Sequence, residues 1–172
     1  MGLLDRVRRV YYFGYGAERD PNAVQAIIGA RPKVIGKATI HDYELRIQNM
    51  HDIRQSAKPL ARKILESAWG DSSFKSYVAL PKKGSKIVGT LYRMSLRRRH
   101  ILDKWELIEE GWFEKVFLPV TLESGRVVEA ETQVLAPHKT ASKAANGLDY
   151  PTYLLPKHVL LEKAAATRSL LH

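Results

Sequence analysis

Two short stretches of the chain carry residue types able to move protons or hold an anion. The first is Tyr15-Gly16-Ala17-Glu18, which lies between a run rich in β-branched and aromatic residues and the dipeptide Asp20-Pro21. A turn joining a strand to a helix can aim backbone N–H groups at a carboxylate or an oxyanion, because the first donors of a helix have no partner within it. Gly14 and Gly16 can equally do no more than permit a sharp turn. The second is Glu106, one turn beyond Leu102 at the margin of an apolar stripe, beside Trp105 and near Trp112 in sequence. A carboxyl held against aromatic surface has its ionised form disfavoured, which moves its pKa toward the range useful for proton transfer. A helical glutamate is more often a solvated surface residue, and this segment alone leaves both readings open.

Other candidates are weaker. Arg97-Arg98-Arg99 stands at the start of the same helical stretch, where cations oppose the helix dipole. Either an anionic partner or a helix that begins one turn later would account for them, and the later start is the reading adopted. The histidines at positions 41, 51, 100, 138, 158 and 172 form no i,i+4 pair beside acids, so no metal site is expected. Gly14-Tyr15-Gly16 lacks the third glycine of a dinucleotide loop, and no Walker loop or Ser/His/Asp order occurs, so no cofactor is expected. With no cysteine, disulfides and a thiolate nucleophile are excluded, which suits a cytoplasmic location.

The elements that must position these residues read as an alternation of strands and helices. Val7–Tyr15 is expected as a strand, and Asp20 as the N-cap of a helix with Pro21 at its first position and Val24, Ile27 and Ile28 as its apolar stripe. Residues 34–40 and 43–47 suggest two strands of a hairpin around His41-Asp42. Residues 59–69 suggest a short amphipathic helix inside a helical excursion at about 50–74. Strands follow at 77–80 and 87–94, separated by a turn at 81–85. Residues 95–111 form the clearest helical pattern, with Ile101, Trp105 and Ile108 at helical spacing and Gly111 at its end. A hairpin at 117–122 and 127–135, turning on Glu123 to Arg126, and a last helix from about Pro156 complete the chain. This order predicts an α+β fold with a mostly antiparallel sheet, folded as one domain over 1–172.

The chain has 172 residues, 45% of them hydrophobic, enough for an ordinary core. Its mean hydropathy is −0.28 and no apolar run approaches the roughly 18 residues of a membrane span. Met1 to Val10 is too charged for a secretory signal. The net charge of +10 is spread along the chain and implies attraction to polyanions, whether nucleic acid, an anionic membrane surface or acidic metabolites. A generally basic solvated surface explains it as well.

Four segments in order resemble the gamma-glutamylcyclotransferase-like family. YYFGYGAERDP resembles its strand and substrate loop, and IGKATIHDYELRI the segment that follows. SYVALPKKGSKIVGTLYRMS is similar to its strand, turn and strand, and ILDKWELIEEGWFEKVFLPVTLESGRVVEAETQVL to its LDxxE, aromatic and hairpin segment. The resemblance covers most of 10–135 and implies a small barrel-like α+β fold. It places Glu106 on the family's acid/base glutamate. Tyr15, Gly16, Ala17 and Glu18 fall on the loop that holds the glutamyl group, and Phe113 in the presumed pocket. The implied reaction is cyclisation of a γ-glutamyl amine, amino acid or peptide to 5-oxoproline, with one carboxyl serving both proton transfers.

Two positions depart from the family pattern. The loop reads Gly-Ala-Glu where the family favours Gly-Ser-Asn, and Phe113 stands where relatives often have tyrosine. Altered specificity and a degenerate site are both compatible with these changes. The alternative to an enzyme is a non-catalytic member of the fold that binds nucleic acid or a protein through its basic surface, although no nucleic-acid motif is present. No motif encodes the leaving amine or the oligomeric state.

Overall fold

The computed structural model describes residues 3–4, 8–52, 75–108, 112–135 and 143–144, with positions 158, 162 and 165. Within them the strands are β1 (Arg9–Gly14), β2 (Lys33–Asn49), β3 (Lys75–Ser95), β4 (Phe113–Leu122), β5 (Val127–Leu135) and the short β6 (Lys143–Ala144). The order is β3-β1-β5-β4-β2-β6, and β2 pairs again with β3, so the first five strands close into a barrel. All pairings are antiparallel except the contact of β1 with β5, at Tyr12 and Glu131. A one-turn 3₁₀ helix (Ala17–Arg19) and helices α1 (Pro21–Ile28) and α2 (Leu96–Trp105) accompany the barrel.

Successive residues of a strand face opposite sides, and β1 uses this to join two cores. Phe13 packs in a cluster drawn from all five barrel strands, including Ile40, Ala79, Leu91, Val120 and Ala130. Tyr12 packs on the other side with Val24 and Ile27 of α1 and Leu102 of α2. A third cluster holds Met50, Val78, Leu107, Trp112, Phe113 and Leu135. The strand β5 records the same change of surroundings: its first residues alternate between exposed and buried, and from Ala130 onward every residue is buried.

The expected start of α1 is observed. Asp20 caps it, Oδ1 accepting from Asn22 N at 2.9 Å, and Pro21 occupies the first turn. The expected hairpin of residues 117–122 and 127–135 is also present, with β4 beginning earlier, at Phe113. The α+β barrel-like architecture is therefore as expected.

Three local expectations are corrected. Residues 34–40 and 43–47 do not turn back on each other; both belong to β2, which runs alongside β3. At His41-Asp42 the chain is kinked: Asp42 has φ 63°, and the register on β3 jumps from Lys86 to Pro81. Asp42 Oδ1 accepts from Gly84 N at 2.9 Å, so the polar pair docks the turn of β3 instead of forming one of its own. The strands expected at 77–80 and 87–94 are likewise two halves of β3.

The third correction concerns α2, which begins at Leu96 and ends at Trp105. Ser95 Oγ accepts from Arg98 N at 3.4 Å, so the arginines do lie in the first turns despite the helix dipole. At the other end Glu106 is the C-cap and Leu107 takes a left-handed φ of 50°, which stops the helix well before Gly111. Of the excursion expected at 50–74, Met50–Asp52 form a helical turn held by reciprocal bonds between Asn49 and Asp52, both 3.0 Å. The helix expected at 59–69 lies outside the described residues, as does most of the C-terminal helix, of which positions 158, 162 and 165 are helical.

Candidate active site

The end of β1 and the end of α2 meet through close backbone packing. A methyl group on Gly14 would lie 2.6 Å from the carbonyl oxygen of Glu18, so glycine here lets the 3₁₀ turn fold back onto the strand. Tyr92 Oη donates to that same carbonyl at 2.6 Å. Glu18 is thereby turned inward and is 3% exposed, and Glu106 is 5% exposed. The two carboxyl groups are hydrogen-bonded to each other. Trp105 Nε1 donates to Glu18 Oε1 at 3.1 Å, and Gln133 Nε2 donates to Glu106 Oε1 at 3.3 Å. Gly16 borders the pair: a methyl group there would stand 3.1 Å from Glu18 Oε2.

Burial holds the Glu106 carboxyl well above its ordinary value of 4.5, the Glu18 charge and hydrogen bond raise it further, Arg99 opposes, and Asp103 adds a smaller upward push. Two adjacent buried carboxyls cannot readily both ionise. At Glu106 burial first, and the neighbouring Glu18 second, favour the neutral form. Burial, with help from the same two acids, also keeps the Tyr12 and Tyr15 hydroxyls protonated well above 10.

Polar residues of β5 and α2 brace this pair. Tyr12 Oη and the Gln133 amide exchange bonds of 3.2 and 3.1 Å, and Gln133 carries the chain of bonds to Glu106. Tyr15 Oη donates to the Gln133 carbonyl at 2.8 Å and accepts from Ala79 N at 3.1 Å. Arg99, fully buried, stacks 4.6 Å over the Tyr12 ring. Its Nε meets Glu131 Oε2 at 3.0 Å; its Nη1 lies 2.9 Å from Asp103 Oδ1 as an ion pair without hydrogen-bond alignment. Lys115 Nζ reaches Asp103 at 2.7 Å and Glu131 at 3.6 Å, so two cations and two anions balance beside the carboxyl pair.

Of the site residues expected from the sequence, the structure brings Glu106, Glu18, Gly16 and Tyr15 together, with Ala17 at the start of the 3₁₀ turn. Phe113 is buried in the third apolar cluster, its ring centroid 4.3 Å from that of Trp112. The residues that sequence reasoning missed are Glu131 and Gln133; Arg99 was singled out only within the Arg97-Arg98-Arg99 run, not as a buried partner of Glu131. A signal existed in Glu131-Thr132-Gln133, three consecutive polar residues in a strand that should have alternated. Among the described residues no group of acids and histidines is arranged to hold a metal ion.

The model of the AIG2-like family matches residues 86–168, a span that includes α2 and Glu106. The fold is that of gamma-glutamylcyclotransferase-like proteins. A solved structure of a gamma-glutamyl cyclotransferase superposes with a TM-score of 0.63 at 14% identity, covering 95% of this chain and 82% of that one. An uncharacterized protein from Homo sapiens gives 0.61 at 14% identity, over 94% of this chain and 81% of its own. YkqA from Bacillus subtilis gives 0.56 at 19% identity, over 96% of this chain and 51% of its own. No curated protein matches the chain in sequence. Among the described residues no helix is long and apolar enough to cross a membrane.

Proposed function

We propose that this chain is a γ-glutamylcyclotransferase that converts a γ-glutamyl amine, amino acid or related conjugate to 5-oxoproline and releases the amine. The observation that carries this reading is Glu106 buried against Glu18 beside the glycine turn that follows β1, where burial pushes its carboxyl toward the neutral form. In this reaction the substrate's own α-amine attacks its γ-carbonyl, so no enzyme nucleophile is needed. Because the step is intramolecular, holding the glutamyl group in a reactive conformation supplies much of the acceleration. The remaining demand is for proton transfer at neutral pH, and a neutral carboxylic acid is suited to protonate the departing nitrogen. The amides of Gly16 and Ala17 are the groups we assign to the substrate's carboxylate or to the developing oxyanion.

The test is incubation of the pure protein with a panel of γ-glutamyl compounds and detection of 5-oxoproline by mass spectrometry. We expect formation from at least one of them, and a loss of about 10²-fold or more in Glu106→Gln. An unchanged rate in that variant refutes the role of Glu106. No product from any of the compounds, together with oligonucleotide binding that weakens steeply with salt, would favour the basic binding module instead.

A further inference from the structure

A reaction that begins with loss of a proton from an α-ammonium needs a base. Burial and the adjacent Glu18 push Glu106 toward its neutral form, which suits it to give a proton rather than to take the first one. The group placed to take it is its hydrogen-bonded partner. Glu18 is buried, and its Oε1 receives the Trp105 indole N–H at 3.1 Å, a donor that stabilises a charged oxygen more than a neutral one. Its Oε2 lies against Gly16, 3.1 Å from where a methyl group on that residue would stand. We infer that Glu18 is a second catalytic carboxyl, the base that deprotonates the substrate's α-ammonium, working in a hydrogen-bonded pair with Glu106 as the acid. This assignment rests on the cyclotransferase reading above and replaces a single shuttling carboxyl with two groups of opposite role.

The protons balance across the cycle. The α-ammonium gives one proton to Glu18, and the freed amine forms its C–N bond to the γ-carbon. Glu106 protonates the leaving nitrogen as the original C–N bond breaks, and recovers a proton from the ring nitrogen, which keeps one hydrogen as a lactam. Glu18 then gives its proton to the free amine, which departs as an ammonium. Both carboxyls return to their starting states, and the products are 5-oxoproline and the protonated amine. A carboxylate at position 18 also attracts the ammonium end of the glutamyl group.

The groups that face the pair are Tyr12 from β1 and Tyr15 from the turn after it, Arg99, Asp103 and Trp105 from α2, and Gln133 from β5, with Glu131 and Lys115 behind Arg99. The carboxyl titrations of protein labelled with ¹³C at glutamate Cδ, read by NMR without substrate, test the coupling directly. Glu18→Gln should lower the midpoint of the Glu106 signal by about one unit or more, since a neutral amide replaces the charged neighbour. In turnover, Glu18→Gln should lower kcat about 10²-fold or more with a smaller change in KM, and the double variant with Glu106→Gln should be no worse than the poorer single one. Glu18→Ala should regain part of its rate with added formate, a rescue that a purely structural role would not give.

A Glu106 midpoint unmoved by Glu18→Gln overturns the coupled pair. Retained turnover in Glu18→Gln beside an inactive Glu106→Gln overturns the base assignment alone and leaves the single-carboxyl reaction standing. Failure of the unmodified protein to form 5-oxoproline refutes the cyclotransferase reading itself, and with it the role of Glu18 in that reaction.

Discussion

Glutamine has the shape of a protonated glutamic acid, so Glu106→Gln asks whether this carboxyl carries a proton in the folded protein. Its amide oxygen can keep the bond from Gln133 Nε2, and its amide nitrogen can donate to Glu18 as the carboxyl proton does. In the natural protein, burial first and Glu18 second hold the folded-state pKa well above 4.5. Below the unfolded value both states are protonated, and the stabilising contribution of the neutral, hydrogen-bonded group is fully present. As pH rises above that value the unfolded chain releases a proton that the folded chain keeps, so stability falls until the folded-state pKa is passed. One retained proton corresponds to a slope approaching about 1.4 kcal/mol per pH unit within that window. Glu106→Gln has no such proton to lose.

The assay is urea unfolding, followed by circular dichroism, of both proteins across a series of pH values. The stability of the natural protein minus that of the variant should be level near and below 4.5, the ordinary carboxyl value, and should descend above it. The dependence on urea should be the same for both, because neither folded nor unfolded surface changes. Since the two carboxyls interact, the descending limb reports the pair rather than one group. A difference that stays flat through neutral pH, or a variant that is less stable there, would refute the argument. Either result would mean that Glu106 is ionised in the fold and held by Arg99 rather than by its own proton.

Further predictions follow from the packing around the pair. Arg99→Met leaves the buried Glu131 and the partly buried Asp103 with Lys115 as their neighbouring cation and should cost about 3 kcal/mol in the same unfolding assay; a loss below about 1 kcal/mol would show that the ion network is not needed. The same change removes the positive charge that opposes protonation, so the Glu106 NMR midpoint should move up. Gly89→Ala would bring a methyl group to 2.4 Å from the Gly14 carbonyl oxygen, backbone that cannot swing aside, and should cost about 1–3 kcal/mol. A stability equal to that of the natural protein would mean that β1 and β3 separate there at no cost.

Several features of this protein were legible in its residues alone. Strand–helix alternation, the Asp20-Pro21 helix start and the hairpin turning on Glu123 to Arg126 depend on local rules of capping, turn chemistry and periodicity, and these act within a few residues. The boundaries of α2 were less legible, because its start is decided by the buried ion pairs of Arg99 with Asp103 and Glu131 as well as by the Ser95 cap, and its end by the left-handed turn at Leu107. The continuity of β2 and β3 was hidden for a related reason: His41-Asp42 has the composition of a turn, and only its docking against Gly84 makes it a kink.

The site divides in the same way. Residue types and a family resemblance singled out Glu106 and the Tyr15-to-Glu18 loop, since a carboxyl beside aromatic residues and a glycine turn are local patterns. That Glu18 lies on Glu106, with Trp105 and Gln133 completing the arrangement, was decided by tertiary structure. The two acids are far apart in sequence, and no local rule expresses the cost of burying both. Closure of the barrel beside α2 removes water from the pair, and that desolvation shifts Glu106 toward its neutral form.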